Sequence, residues 1–215
     1  MIDGPRLPPA NGAPARKLVV FLHGYGADGN DLIDLGRMFA PILPDTAFVS
    51  PNAPAPCDES PMGRQWFPLA HGDMELYWRG VEQAAPVLQA FLDAELAGLG
   101  LTDRDLALVG FSQGTMMALH AGLRRKEAIA GIVGYSGLLA GPEHLADADV
   151  HKTPILLVHG DADPIIPAMA LHASVQALGA AGMPTEWHVS PGLAHGIDEA
   201  GLRLGADFLR RVLAG

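Results

Sequence analysis

The chain has 215 residues, a formal net charge of −10 and 49% hydrophobic residues. It is long enough for one large core. Its charge has the wrong sign for a nucleic-acid or anionic-membrane partner, because a negative field repels phosphates. No apolar run reaches the ~18 residues of a membrane-spanning helix. The single cysteine, Cys57, can form no internal disulfide, as expected in a reducing, cytoplasmic setting.

Residues 1–15 are rich in Pro, Ala and Gly and lack the basic start and apolar stretch of a secretory signal. Residues 18–22 form the first strand-like run. A helix is expected over 28–39, with Leu32, Leu35, Met38 and Phe39 on one side. A second strand is expected over 46–50. Residues 51–77 contain five prolines and follow neither period. Their Trp66-Phe67 pair points to an ordered loop forming a partial lid. The spacing of Val81, Leu88, Phe91, Leu92, Leu96 and Leu99 predicts a helix over 78–99, which Pro86 should kink or restart. Strands over 106–109 and 129–135 bracket a helix over 112–124. A strand over 155–159 precedes a helix over 167–178, opened by Pro167. After a strand over 186–189, a helix over 197–213 carries Ile197, Leu204, Phe208, Val212 and Leu213 on one stripe. Most strands are continuously apolar, the pattern of a parallel sheet covered on both faces. The alternation predicts an α/β fold: one domain, 1–215, with a mostly parallel central sheet and helices on both faces.

Three segments carry the chemistry. Gly110-Phe111-Ser112-Gln113-Gly114 lies between a strand and a helix, which is the setting of a nucleophile elbow. A serine hydroxyl needs a base, and the base an orienting carboxylate. In this topology they follow in the order Ser, acid, His, on loops after later strands. Gly160-Asp161-Ala162-Asp163-Pro164 and Pro191-Gly192-Leu193-Ala194-His195-Gly196 stand there. Asp163 lies deeper in its loop, whereas Asp161 is placed to bond turn amides; both fit the acid. His195 is the base candidate, on a Gly-flanked loop after the last strand. His71, His120, His144, His151 and His172 read as background on helices or surface loops, and His188 lies within a strand.

The third segment, Leu22-His23-Gly24-Tyr25-Gly26-Ala27-Asp28-Gly29, follows the first strand. Gly24-x-Gly26-x-x-Gly29 matches a dinucleotide fingerprint, but the second strand ends Val49-Ser50-Pro51-Asn52 without the acid that would hold a ribose. The alternative use is an oxyanion hole, with Gln113 supplying a second N–H. Gly134-Tyr135-Ser136-Gly137 lacks the elbow's second glycine and reads as a strand-end turn near the site; His159-Gly160 also reads as a backbone turn. No Cys/His spacing suits a metal and no phosphate loop of the G-x-x-x-x-G-K-[S/T] type occurs. A scaffold that binds ligand without turnover would share these features.

On these segments, together with Pro51-Asn52-Ala53-Pro54, Trp66-Phe67 and Asp163-Pro164-Ile165-Ile166-Pro167, the chain resembles the phospholipase/carboxylesterase family of α/β-hydrolases, which includes acyl-protein thioesterases. The resemblance runs from about residue 16 onward. It implies a cofactor-free serine hydrolase of carboxylic esters or thioesters, lysophospholipids included, working through an acyl-enzyme on small to medium acyl groups. It matches Ser112 to the nucleophile, His195 to the base and Asp163 to the acid. Tyr25 and Gln113 match the oxyanion-hole amides, and Trp66 and Phe67 the lid region that contacts substrate. Tyr25 stands where many relatives carry Leu, and Thr115 where they often have Gly. A homodimer is implied by the resemblance alone.

Overall fold

All six strand-like runs enter one seven-stranded sheet. The computed structural model describes residues 2–69 and 72–214. In chain order its strands are β1 (Arg6–Leu7), β2 (Lys17–Leu22), β3 (Thr46–Val49), β4 (Ala55–Pro56), β5 (Arg64–Gln65), β6 (Leu106–Phe111), β7 (Gly131–Tyr135), β8 (Ile155–Gly160) and β9 (Thr185–Ser190). Its α-helices are α1 (Gly29–Phe39), α2 (Met74–Leu99), α3 (Gln113–Leu123), α4 (Met169–Ala180) and α5 (Glu199–Val212). The sheet order is β1-β3-β2-β6-β7-β8-β9, with β1 antiparallel and the remaining pairs parallel. β4 and β5 form a separate antiparallel hairpin.

The pleat divides the apolar runs between two cores. Leu18, Val20 and Leu22 face α2, α3 and α4, while Val19 and Phe21 face α1 and α5. Burying each such side chain contributes about 1.5–3 kcal/mol. β9 is an edge strand and leaves Glu186 and Trp187 exposed. The carboxyl ends of β2, β6, β7, β8 and β9 lie side by side, so the loops that follow them share one rim.

Several sequence expectations are corrected. α2 begins at Met74, capped by the Asp73 side chain, and runs unbroken past Pro86. Pro86 and Glu82 are both exposed, so the carbonyl that loses its helical donor faces water. Residues 51–77 include the β4–β5 hairpin and the first turn of α2. The N-terminal segment adds β1, too short to read from pattern, pairing Arg6 with Val49 and Leu7 with Phe48. In α1, Met38 is 54% exposed and Ile33 and Gly36 face the core instead; Leu204 of α5 is also exposed. His159 and Gly160 end β8 rather than forming a turn. His71 lies outside the described residues.

His120 is not background either. It is buried on α3 against Trp78, whose ring stacks on His144 at 3.9 Å and lies under Arg124. Burial, helped by the nearby Arg124 and His144 charges, pushes its imidazole down to about 3. The folded chain therefore keeps it neutral, while the unfolded chain takes up a proton below the ordinary value of 6.5. The stability this provides is present above 6.5 and is lost as pH falls below it. The loss is about 2 kcal/mol at pH ~5. His120→Leu should shrink the difference in urea-unfolding free energy between pH 8 and pH 5 by that amount; an unchanged difference would contradict the assignment.

Candidate active site

Ser112 joins β6 directly to α3 with φ 54° and ψ −116°. A non-glycine residue held in this region costs roughly 1–3 kcal/mol. Its surroundings enforce the geometry. The Ser112 amide donates to the Tyr135 carbonyl at 2.9 Å, and the Thr115 amide to the Ser112 carbonyl at 3.0 Å. A Cβ at Gly114 would strike the Leu22 carbonyl oxygen, and one at Gly110 the Gly114 carbonyl oxygen. Thr115 is part of this packing: its hydroxyl lies 2.9 Å from both the Gly110 and Tyr135 carbonyls, and its methyl fills the space over Gly134. Ser112 itself is partly exposed, so solvent reaches it.

The two candidate acids separate cleanly. His195 Nδ1 lies 2.7 Å from Asp163 Oδ2. The amides of Ile165 and Ile166 donate to Asp163 Oδ1 at 2.8 and 3.0 Å. Asp161 instead accepts from the Gly192 amide at 2.6 Å and braces the turn leading to His195. Burial alone would raise the Asp163 carboxyl, but the His195 hydrogen bond and the Ile166 and Ile165 amides outweigh it and hold it below its ordinary value. A carboxylate only accepts, so His195 Nδ1 carries the hydrogen and Nε2 of the neutral ring is left as the basic nitrogen. The His195 side chain is 19% exposed, while that of Asp163 is fully buried.

Ser112 and His195 meet the same rim through their neighbours. The Phe111 and His195 rings are 5.0 Å apart. Ser136, at φ 46°, donates its hydroxyl to the Gly196 carbonyl at 2.9 Å. No hydrogen bond joins the Ser112 hydroxyl to the imidazole in this structure. Contacts of this kind commonly tighten only around bound substrate.

The loop after β2 lies against the elbow: a Cβ at Gly24 would stand 3.3 Å from Ser112 Cβ. Among the described residues the Tyr25 and Gln113 amides donate to no acceptor, whereas Gly26 is tied to the Arg64 carbonyl at 2.9 Å. His23 sets the loop from beneath. Its Nε2 accepts from the Ala53 amide at 3.0 Å, so Nδ1 carries the hydrogen, 2.8 Å from the Gly24 carbonyl. Burial lowers its pKa, which favours the neutral ring. The N-terminus of α1 is already occupied. Asp28 caps it through the Asn30 amide, and Asn52 Oδ1 accepts from Gly29 at 2.9 Å. A carboxylate stands where a dinucleotide's pyrophosphate would need to bind, which disfavours the fingerprint reading.

Trp66 and Phe67 are 3% exposed each, so they fasten the loop rather than line an open pocket. The Trp66 indole donates to the His23 carbonyl at 3.1 Å. The Gln113 side chain accepts from the Trp66 amide and donates to the Phe67 carbonyl, at 2.9 and 2.8 Å. Burial first, then Cys57 and the charges of Glu59 and Asp58, push the Tyr25 phenol up to about 12. A depression of 570 Å³ beside this loop is lined by Asp28, Asn52, Pro54, Met62 and Arg64 among others, not by Ser112 or His195. Sequence reasoning placed the Ser136 turn near the site but missed the Ser136 hydroxyl, His23 and His159 as supports of it. Each lies inside a glycine-bearing segment, the one signal that pointed to them. Among the described residues no group of three or more His, Cys, Asp or Glu could hold a metal ion, and no helix is long and apolar enough to cross a membrane.

The fold is that of an α/β-hydrolase. A model of the Phospholipase/Carboxylesterase family matches residues 9–213, and the chain belongs to that family. The solved structure of esterase PE8 superimposes with a TM-score of 0.93, is 45% identical and covers 99% of both chains. Esterase YpfH of Escherichia coli (strain K12) is 29% identical over 198 residues, spanning 92% of this chain and 83% of its own. Acyl-protein thioesterase 1 of Schizosaccharomyces pombe is 32% identical over 168 residues, 74% of each chain.

Proposed function

We propose that the protein is a serine carboxylesterase whose nucleophile is Ser112, base His195 and acid Asp163. The observation that carries the reading is the 2.7 Å Asp163–His195 bond at the same rim as the strained Ser112 elbow. Ser112 Oγ attacks the ester carbonyl and passes its proton to His195 Nε2, while Asp163 holds the tautomer and stabilises the imidazolium. The amides of Tyr25 and Gln113 receive the oxyanion, each contributing about 3 kcal/mol to the transition state. His195 then protonates the leaving alcohol, and water, activated by the same imidazole, releases the acid and regenerates Ser112.

Trp66 and Phe67 act on substrate indirectly, by fixing the loop that bears the Tyr25 amide. With both rings packed into the core, small to medium acyl groups are the expected substrates. The Schizosaccharomyces pombe relative supports a second reading, in which the leaving group is a thiol. Paired oxygen and sulfur esters of increasing acyl length test both. The carboxylesterase reading predicts turnover of p-nitrophenyl acetate and butyrate, with kcat/KM falling for long chains. Faster turnover of the thioesters at every length would favour the second reading, and no turnover of any ester would contradict both.

A further inference from the structure

We propose that His159 is a positioning residue for Asp163, a role that rests on Asp163 being the triad acid. His159 is the penultimate residue of β8 and is 1% exposed. Its Nε2 lies 2.8 Å from the Ile166 carbonyl and 3.2 Å from Asp163 Oδ2. Both are acceptors, so Nε2 carries the hydrogen; it donates to the Ile166 carbonyl and its N–H dipole lies close to Oδ2. Nδ1 is buried without a partner among the described residues, which makes this ring a one-sided donor. Asp163 therefore receives three N–H groups, the Ile165 and Ile166 amides on Oδ1 and the His195 imidazole on Oδ2, and His159 Nε2 stands 3.2 Å from Oδ2 beside them.

The geometry does two things for the reaction. It packs Nε2 against Oδ2, the atom that orients His195. The partial positive charge of this N–H beside Oδ2 also offsets part of the carboxylate's charge, so that the carboxylate stabilises the His195 imidazolium less than it would with an apolar ring at position 159. The same Nε2–H closes the 163–166 turn through Ile166. The other titratable groups nearby are engaged elsewhere: Asp161 with the Gly192 amide, and His172 of α4 with Trp187.

Removing the donor while keeping a ring, His159→Phe, should lower kcat about ten-fold with KM nearly unchanged. It should also move the acid limb of the kcat profile to higher pH. His159→Gln, whose amide can reach the same point, should restore kcat to within roughly three-fold and return the limb. A purely structural role would change the melting temperature and leave the limb in place. A folded Phe variant with wild-type kcat and acid limb would overturn the proposal, as would a Gln variant that folds but shows the Phe phenotype. Should the Phe variant not fold, ¹⁵N NMR of the wild-type protein at pH 8 decides: hydrogen on His159 Nε2 is expected, and hydrogen on Nδ1 overturns it. Activity that survives Ser112→Ala would instead defeat the esterase mechanism itself, so the two failures are distinguishable.

Discussion

Ser112→Ala is expected to reduce kcat by roughly four to six orders of magnitude, with the fold intact. The size follows from what is lost. The hydroxyl is the atom that becomes bonded to the acyl group, and no neighbour stands ready to replace it. Ser136, another serine at the rim, is spent on the Gly196 carbonyl. Residual rate should come from the amides and from binding alone. The fold should survive because the elbow is held by the backbone of Ser112, through Tyr135 and Thr115, rather than by its hydroxyl. Stopped-flow and steady-state assays on p-nitrophenyl butyrate, with melting curves alongside, check this. A variant retaining a tenth of wild-type kcat would exclude Ser112 as nucleophile.

Asp163→Asn should cost about 10,000-fold in kcat, and Asp161→Asn less than about ten-fold. At position 163 an amide keeps an oxygen for the Ile165 and Ile166 amides, so its NH2 group turns toward His195. That forces the hydrogen from Nδ1 to Nε2 and removes the basic nitrogen. At position 161 an amide oxygen still accepts from Gly192, so the turn that carries His195 persists. The reverse ranking in kcat would overturn the assignment of the acid. The pH dependence follows from the same contacts. Asp163 is held below its ordinary value, so it stays charged through mild acid. Loss of activity on that side is therefore not assigned to Asp163. Asp163's own contribution to stability is present above the unfolded carboxyl value and is lost only as pH falls through the lower folded one.

The elbow turn and the loops that share its rim were readable in the chain because local chemistry leaves few choices. Gly110 and Gly114 are required by carbonyl oxygens that a Cβ would strike, and a strand-to-helix turn at Ser112 needs them both. The choice between Asp161 and Asp163 was not fixed by spacing. It depends on which carboxylate the β8 and β9 loops bring to His195, a contact across 32 residues. Trp66 and Phe67 read as ligand contacts because aromatics in a proline-rich loop look like a lid; the Gln113 side chain, reaching back from α3, draws them inward. Pro86 read as a break because pattern does not show that its helix face is solvated. His159 read as a turn because its partner, the Asp163 carboxylate, is visible only once the loop has folded over it.

Labelling with a fluorophosphonate, followed by intact-mass measurement and peptide mapping, tests the nucleophile assignment most directly. A single adduct on Ser112, formed as ester turnover is lost and absent from the Ser112→Ala protein, is the predicted result. An adduct on any other residue, or an unlabelled protein that still hydrolyses esters, would contradict it.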